Sequence, residues 1–223
     1  MDNRQGYGFR YAGARWGRDI APIECIVATS EVFSVTGGTA NVLLGPGDPV
    51  IKLATGGVTL CPGAETTAQT PFGVVMAVLP YWDAASGFMK PAECLPSAVA
   101  WGTNLERQSK VLVQPFETAY WEIDCDDAVS ATTEAAYQAF IGENTEYRLN
   151  GGIVPTANPQ NRAHPRLDIS AHATTNTFNL RIVRVSHTKD NVDFTGNYVK
   201  MIVELNIGGT GGAAGLSTTS KGV

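Results

Sequence analysis

Three histidines and four cysteines are the residues of this chain best able to do covalent or metal chemistry, and their spacing decides against both. His164, His172 and His187 form no H-x-x-x-H or H-E-x-x-H pair. Cys25, Cys61, Cys94 and Cys125 form no C-x-x-C pair. Structural zinc sites draw their ligands from tight local spacings. Here every ligand would have to come from a distant part of the chain, so three surface or loop histidines are the simpler reading. There is no G-x-S-x-G elbow and no Walker loop, and no glycine cluster sits between a strand and a helix where it would cradle phosphate. A Cys–His nucleophilic pair has no local support, since such pairs meet only in space. The acids are more suggestive. Glu117, Glu122, Asp124, Asp126, Asp127, Glu134, Glu143 and Glu146 fall between Phe116 and Glu146 with no Lys or Arg among them. Asp124-x-Asp126-Asp127 resembles the start of a calcium loop, but no glycine follows at the sharp turn and the twelfth position is Ala135 rather than Glu. A solvated strand face followed by a loop explains the run more simply than a divalent-ion site. A third reading is electrostatic: basic segments of neighbouring copies or of a partner dock there.

The first twenty residues carry the opposite charge. Arg4, Arg10, Arg15 and Arg18 alternate with Tyr7, Phe9, Tyr11 and Trp16, and Asp2 is the one acid through Arg18. Aromatics at 7, 9 and 11 share one face of an extended chain, and glycines at 6, 8, 13 and 17 argue against a helix. Arginine interleaved with aromatics can stack on nucleic acid or anchor a protein surface. A formal net charge of -5 lacks the basic footprint of a nucleic-acid binder, so the protein-binding reading is preferred. Tyr7, Phe9, Arg10, Tyr11, Arg15 and Trp16 are therefore the candidate subunit interface. Such a segment has too little apolar area to order itself. It is expected to be a disordered arm in the free protein, and its deletion to leave the remainder folded.

These groups must be positioned by a chain of 223 residues that is 43% hydrophobic and only 17% charged, against about a quarter charged in ordinary domains. Short apolar or alternating runs between turns predict strands at Ile23–Val27, Glu31–Thr36, Val50–Leu53, Val58–Cys61, Phe72–Leu79, Trp121–Cys125, Asn179–Ser186 and Val199–Ile207. One helix is predicted, from Thr132 to Ile141, with Ser130, Thr132 or Thr133 as cap and Gly142 as stop. Pro155 to Pro165 reads as a long loop. No repeat is visible. The expected organisation is an extended N-terminal arm over 1–20, a single β domain over 21–207 and a flexible Gly-rich tail over 208–223. No run spans a bilayer and residues 1–18 lack a signal-peptide core, so the expected setting is cytoplasmic and the cysteines are expected as buried free thiols. No cofactor, metal, membrane or nucleic acid is expected.

Several segments, taken in order, resemble a known family. They are Gly8-Phe9-Arg10, Gly47-Asp48-Pro49-Val50-Ile51-Lys52-Leu53, Phe72-Gly73-Val74-Val75, Phe116 to Asp127, Ile141-Gly142-Glu143-Asn144 leading to Tyr147-Arg148-Leu149, Leu180-Arg181-Ile182-Val183, and Tyr198 to Val203. Together they resemble the β-rich cement, or head decoration, proteins encoded near the major capsid protein of tailed bacteriophages. Pro80 to Asn104, with Trp82, Cys94 and Trp101, departs from that pattern, as does the Gly-rich tail. The resemblance implies an all-β sandwich or barrel-like domain, of β-tulip or jelly-roll type, with one short helix. It implies a structural virion protein that is not an enzyme, assembled in the host cytoplasm. Its partners would be the major capsid protein, on the outer capsid surface, and copies of itself, a trimer before a dimer. The rivals are a tail-spike or lectin-like binding module, which the aromatic stretch Pro80 to Trp101 would suit, and a hydrolase using Cys or His.

Overall fold

The structure is a computed structural model and describes residues 8–17, 19–28, 43–54, 56–61, 70–83, 86–91, 93–95, 109–126, 132–149, 165–173, 178–195 and 198–206. Within them the chain forms an all-β, sandwich-like domain of three antiparallel sheets and one short helix. The first sheet runs, in spatial order, β1 (Arg10–Ala14), β9 (Ala119–Asp124), β13 (Lys200–Leu205), β12 (Leu180–Val185), β10 (Asn144–Arg148) and β11 (Arg166–Ala173). The second runs β2 (Ile23–Ile26), β8 (Lys110–Pro115), β5 (Gly73–Val78), β3 (Pro49–Lys52) and β4 (Val58–Leu60). A separate hairpin pairs β6 (Tyr81–Asp83) with β7 (Phe88–Lys90). Each large sheet curls until distant strands touch at one point, through a parallel bridge from Cys125 to Leu167 in the first and from Val27 to Val58 in the second. Among the described residues neither contact extends into a ladder that would close a barrel. Among the described residues no helix is long and apolar enough to cross a membrane.

One core joins the two sheets. Val74, Val75, Val111 and Val113 of the second sheet and Trp121, Ile123, Ile182 and Val203 of the first are all fully buried in it. Each such side chain stabilises by about 1.5–3 kcal/mol through area removed from water. A 3-10 turn at Phe116–Thr118 carries β8 directly into β9, and the Trp121 indole donates to the Phe116 carbonyl at 3.1 Å. The chain can cross there because Gln114 Nε2 donates to Thr118 Oγ1 at 2.7 Å, satisfying two polar groups inside the bend.

Two glycines are fixed by crowding and turn geometry. A Cβ on Gly73 would lie 2.5 Å from both the Gln114 carbonyl oxygen and Val113 Cγ1, on the neighbouring central strand. Gly73→Ala should therefore lose about 1–3 kcal/mol of unfolding free energy by overpacking, read as a lower urea midpoint at unchanged slope. The run Gly45-Pro46-Gly47-Asp48 is a type II turn: proline presets the second position and Gly47 takes φ +91° at the third. Asp48 N–H bonds the Gly45 carbonyl at 3.1 Å, and its carboxylate accepts from Gly45 N–H at 2.8 Å.

The helix, α1, is shorter than the predicted span. It covers Glu134–Gln138, with Thr133 as cap, and Thr133 Oγ1 accepts from Ala136 N–H at 3.3 Å. Gly142 takes φ +88° and ends the turns that follow. The predicted strand at 31–36, the loop at 155–164 and the tail at 208–223 lie outside the described residues.

Candidate functional site

Five of the six N-terminal candidates, Phe9, Arg10, Tyr11, Arg15 and Trp16, are described, and they do not form a free arm. Phe9 is 3% exposed. Its ring stands edge-on to Phe116 at 5.0 Å, Tyr147 at 5.4 Å and Trp121 at 6.4 Å between centroids. Arg10 projects to the other side, where its guanidinium meets Glu122 at 2.7 Å and Asp124 at 3.8 Å. Tyr11 returns to the face of Phe9, edge-on to Trp121 at 6.2 Å, and its hydroxyl donates to the Asp19 carboxylate. Arg15 Nε meets Glu204 at 3.0 Å, and a guanidinium N–H donates to the Leu205 carbonyl at 3.2 Å. Trp16 is 66% exposed, with the Arg15 guanidinium 5.0 Å from its ring centre. Tyr7 lies outside the described residues. The expectation of an extended arm over 1–20 is thus corrected: residues 10–14 are a strand of the first sheet, and the single-domain boundary drawn at residue 21 falls inside the folded body.

The reason is topological. β11 reaches β9 only at its far end, at Cys125, which leaves the edge of β9 from Ala119 to Glu122 open. β1 fills that opening with Arg10 opposite Glu122 and Ala14 opposite Ala119. It also ties the sheets together, since Phe9 N–H bonds the Gly47 carbonyl at 2.9 Å while Gly47 N–H bonds Val75 at 2.8 Å. The approach is close. A Cβ on Gly8, already at φ +74°, would stand 2.6 Å from the Gly47 oxygen and 3.1 Å from Pro165 Cδ. The sequence segments around Gly8, Gly47 and Gly73–Val75 therefore meet in space.

The acidic run is also corrected in part. Glu122 and Asp124 are buried rather than a solvated face. Glu122 accepts from Ser186 Oγ as well as from Arg10. Lys200 is opposite Asp124 on β13 and pairs with Asp190. Burial pushes the Asp124 carboxyl above its ordinary pKa, and Arg10, Lys200 and Arg166 pull it only partly back. Asp126 is also raised, by burial first and then by the neighbouring Asp168. Asp168 is fully buried; it forms an ion pair with Arg148 Nε at 2.5 Å, and its Oδ1 accepts from Ser170 Oγ at 2.6 Å and Ala171 N–H at 3.1 Å. The cations on this face are the chain's own. Among the described residues no group of three His, Cys, Asp or Glu side chains is placed to hold a metal ion. Asp127 lies outside the described residues.

The two buried thiols are poor nucleophiles. All four cysteines are free thiols, with Cys61 and Cys125 buried. Burial pushes the Cys61 thiol up to about 12 and that of Cys125 well above the usual range, so neither supplies thiolate near neutrality. In the native protein Cys61 and Cys125 should resist iodoacetamide at pH 8 and react only after denaturation. Peptide mapping of alkylated sites checks this. His172 Nδ1 lies 2.6 Å from Glu143, with its ring centre 4.3 Å from that of Phe140. His187 is exposed and 3.9 Å from Glu134. His164 lies outside the described residues.

A shallow apolar cleft of about 420 Å³ is lined by Phe9, Arg10, Tyr11, Pro46, Gly47, Val75 and Met76. The departure Pro80 to Asn104 contains the β6–β7 hairpin, which presents Phe88 at 72% exposure. The signal for that hairpin was Ser86-Gly87 between two short apolar stretches. No protein-family model matches this chain, and neither does any curated protein or solved structure.

Proposed function

We propose that this chain is a structural protein of a tailed-bacteriophage virion, binding the outer capsid surface and joining neighbouring major capsid subunits without catalysis, cofactor or metal. One observation carries the reading. Half of the exposed large apolar side chains among the described residues fall in one short stretch: Tyr11, Trp16, Ile20, Ile23 and Ile26. Tyr11 is on β1 and Ile23 and Ile26 are on β2, each strand at the end of the order of its sheet, and Trp16 and Ile20 lie on the connection between them. Apolar side chains on terminal strands are an aggregation hazard unless a partner covers them. Attachment at several such contacts multiplies modest affinities and favours the assembled shell by mass action. The finer fold reading, a β-tulip or jelly-roll closure, belongs with this proposal, as does self-association with a trimer before a dimer. The exposed Phe88 on the hairpin favours a second reading, a tail-spike or lectin-like module.

Quantitative mass spectrometry of purified virions separates the two readings. Cement should be present in a copy number that scales with the major capsid protein, whereas a tail-spike is present in few copies. Absence from the virion would sink both. Added to capsids lacking it, the purified protein should saturate the shell, and Trp16→Ser with Ile20→Ser should weaken occupancy at least tenfold without changing the melting temperature. Strictly monomeric light scattering, free and on capsids, would overturn the self-association.

A further inference from the structure

β1 is held tightly but tethered loosely. The groups that fix it lie on other elements: Phe116, Trp121 and Tyr147 around Phe9, Glu122 and Asp124 at Arg10, Glu204 at Arg15, and the Gly47 carbonyl at the Phe9 N–H. The chain that leads from it to β2 differs. Residues 16, 17 and 19–22 are all exposed. The polar contact that folds this tether back, Tyr11 to Asp19, is itself exposed, and a hydrogen bond in water contributes little. A terminal strand with a specific socket and an exposed tether has the makings of an exchangeable element.

We propose that β1 exchanges between copies, so that the seam beside β9 in one molecule accepts residues 8–14 of a second. Exchange remakes the same aromatic contacts, ion pairs and ladder. The free-energy difference therefore sits in the tether and in the entropy of association. Residues 16–22, fully extended, reach roughly 23–25 Å at 3.3–3.6 Å per residue, somewhat less than the diameter of a small domain, about 30 Å. This deepens the proposed cementing role by naming one partner as a second copy. It needs that role only to crowd copies together, so it is tested on free protein, and failure to bind capsids would leave the result unchanged.

Ala14 and Ala119 are a register pair across β1 and β9, within the spacing a disulfide spans. Ala14→Cys and Ala119→Cys are placed on separate chains, refolded together and oxidised, with wild-type protein treated alike as the control for the native thiols. The expected product is a covalent dimer of unlike chains joined at 14–119 by peptide mapping. The double variant on one chain should also form the bond. A mixture that stays uncrosslinked while the double variant oxidises wholly within its own chain would overturn the proposal. A second readout needs no cysteine: deleting residues 17–21 shortens the tether while sparing β1 and its socket. Light scattering should then show the protein shifting severalfold toward oligomer, and a monomer of unchanged stability would overturn the proposal.

Discussion

Phe9→Ala should lower the unfolding free energy by about 3–5 kcal/mol, the range for truncating a buried aromatic. That is a large share of the roughly 5–15 kcal/mol that a domain holds. The ring, just ahead of β1, fills a socket made by Phe116, Trp121 and Tyr147, and Tyr11 touches that socket at Trp121 alone among its three rings. Phe9→Leu keeps most of the volume and should lose far less, under about 1.5 kcal/mol if the socket repacks. Removing residues 1–14 should cost more than Phe9→Ala, because the edge of β9 and the Arg10 ion pairs go with it. Urea unfolding followed by tryptophan fluorescence gives all three values. A loss below about 1 kcal/mol for Phe9→Ala, small beside the cavity range, would restore the picture of a free arm.

Arg10→Met should be the next most damaging single change, on the order of 3 kcal/mol at pH 7. It leaves the buried carboxylates of Glu122 and Asp124 without their nearest cation. The lower end of the usual range is expected because the Arg10 side chain is 35% exposed. The loss should shrink on acidification. Asp124 already sits above its ordinary pKa through burial, with Arg10 the largest influence opposing the rise, and removing Arg10 raises it further. Between the unfolded value, about 3.9, and the raised native one, the folded protein holds a proton that the unfolded chain does not. Stability therefore falls as pH rises through that window and recovers as pH drops into it. Wild-type protein should show the same sign more weakly, from Asp124 and Asp126 together. Arg10→Met with Asp124→Asn should recover part of the loss at pH 7. A defect of equal size at pH 5 and pH 7 would show that lost packing by the arginine stem, not stranded charge, is responsible.

Most strands legible in the sequence bury an apolar face, although β8, with Val111 and Val113 in the core, is not among those predicted. Val50–Leu53, Val58–Cys61 and Phe72–Leu79 match β3, β4 and β5 within two residues, and Asn179–Ser186 and Val199–Ile207 contain β12 and β13. The predicted strand at 121–125 lies on β9. Thr133 and Gly142 delimit the helix and the turns after it for the local reasons of capping and positive φ. β10 and β11 are hard to read because they bury polar residues beside apolar ones: Asn144, Thr145 and Asp168 are fully buried with Tyr147, Leu167 and Ile169, and Thr145 Oγ1 finds its acceptor 23 residues away, donating to the Asp168 carbonyl at 2.5 Å. The misreadings at the N-terminus and in the acidic run share one cause. Each segment alone looks solvated, one basic and one acidic, and each is the other's neutralising partner across more than a hundred residues. Alternation could place Phe9 and Tyr11 on one face and Arg10 on the other, but not say that the surface they met was Trp121 and Glu122 of the same molecule.

The docking of β1 also sets a clock. Its ladder partner, Glu122, leaves the ribosome more than a hundred residues after Arg10. At about 5–20 residues per second, the usual pace of synthesis, Phe9 and its arginines wait roughly 5–20 s with no strand to join. Pro165, against which Gly8 packs, comes later still. Residues 10–14 are thus placed only after residues 119–122 have been made, and loop closure over that separation makes the step slow as well as late. Under the proposed exchange, the waiting segment of one nascent chain on a crowded polysome would meet the open seam of another before its own exists, and translation itself would select which molecules become joined.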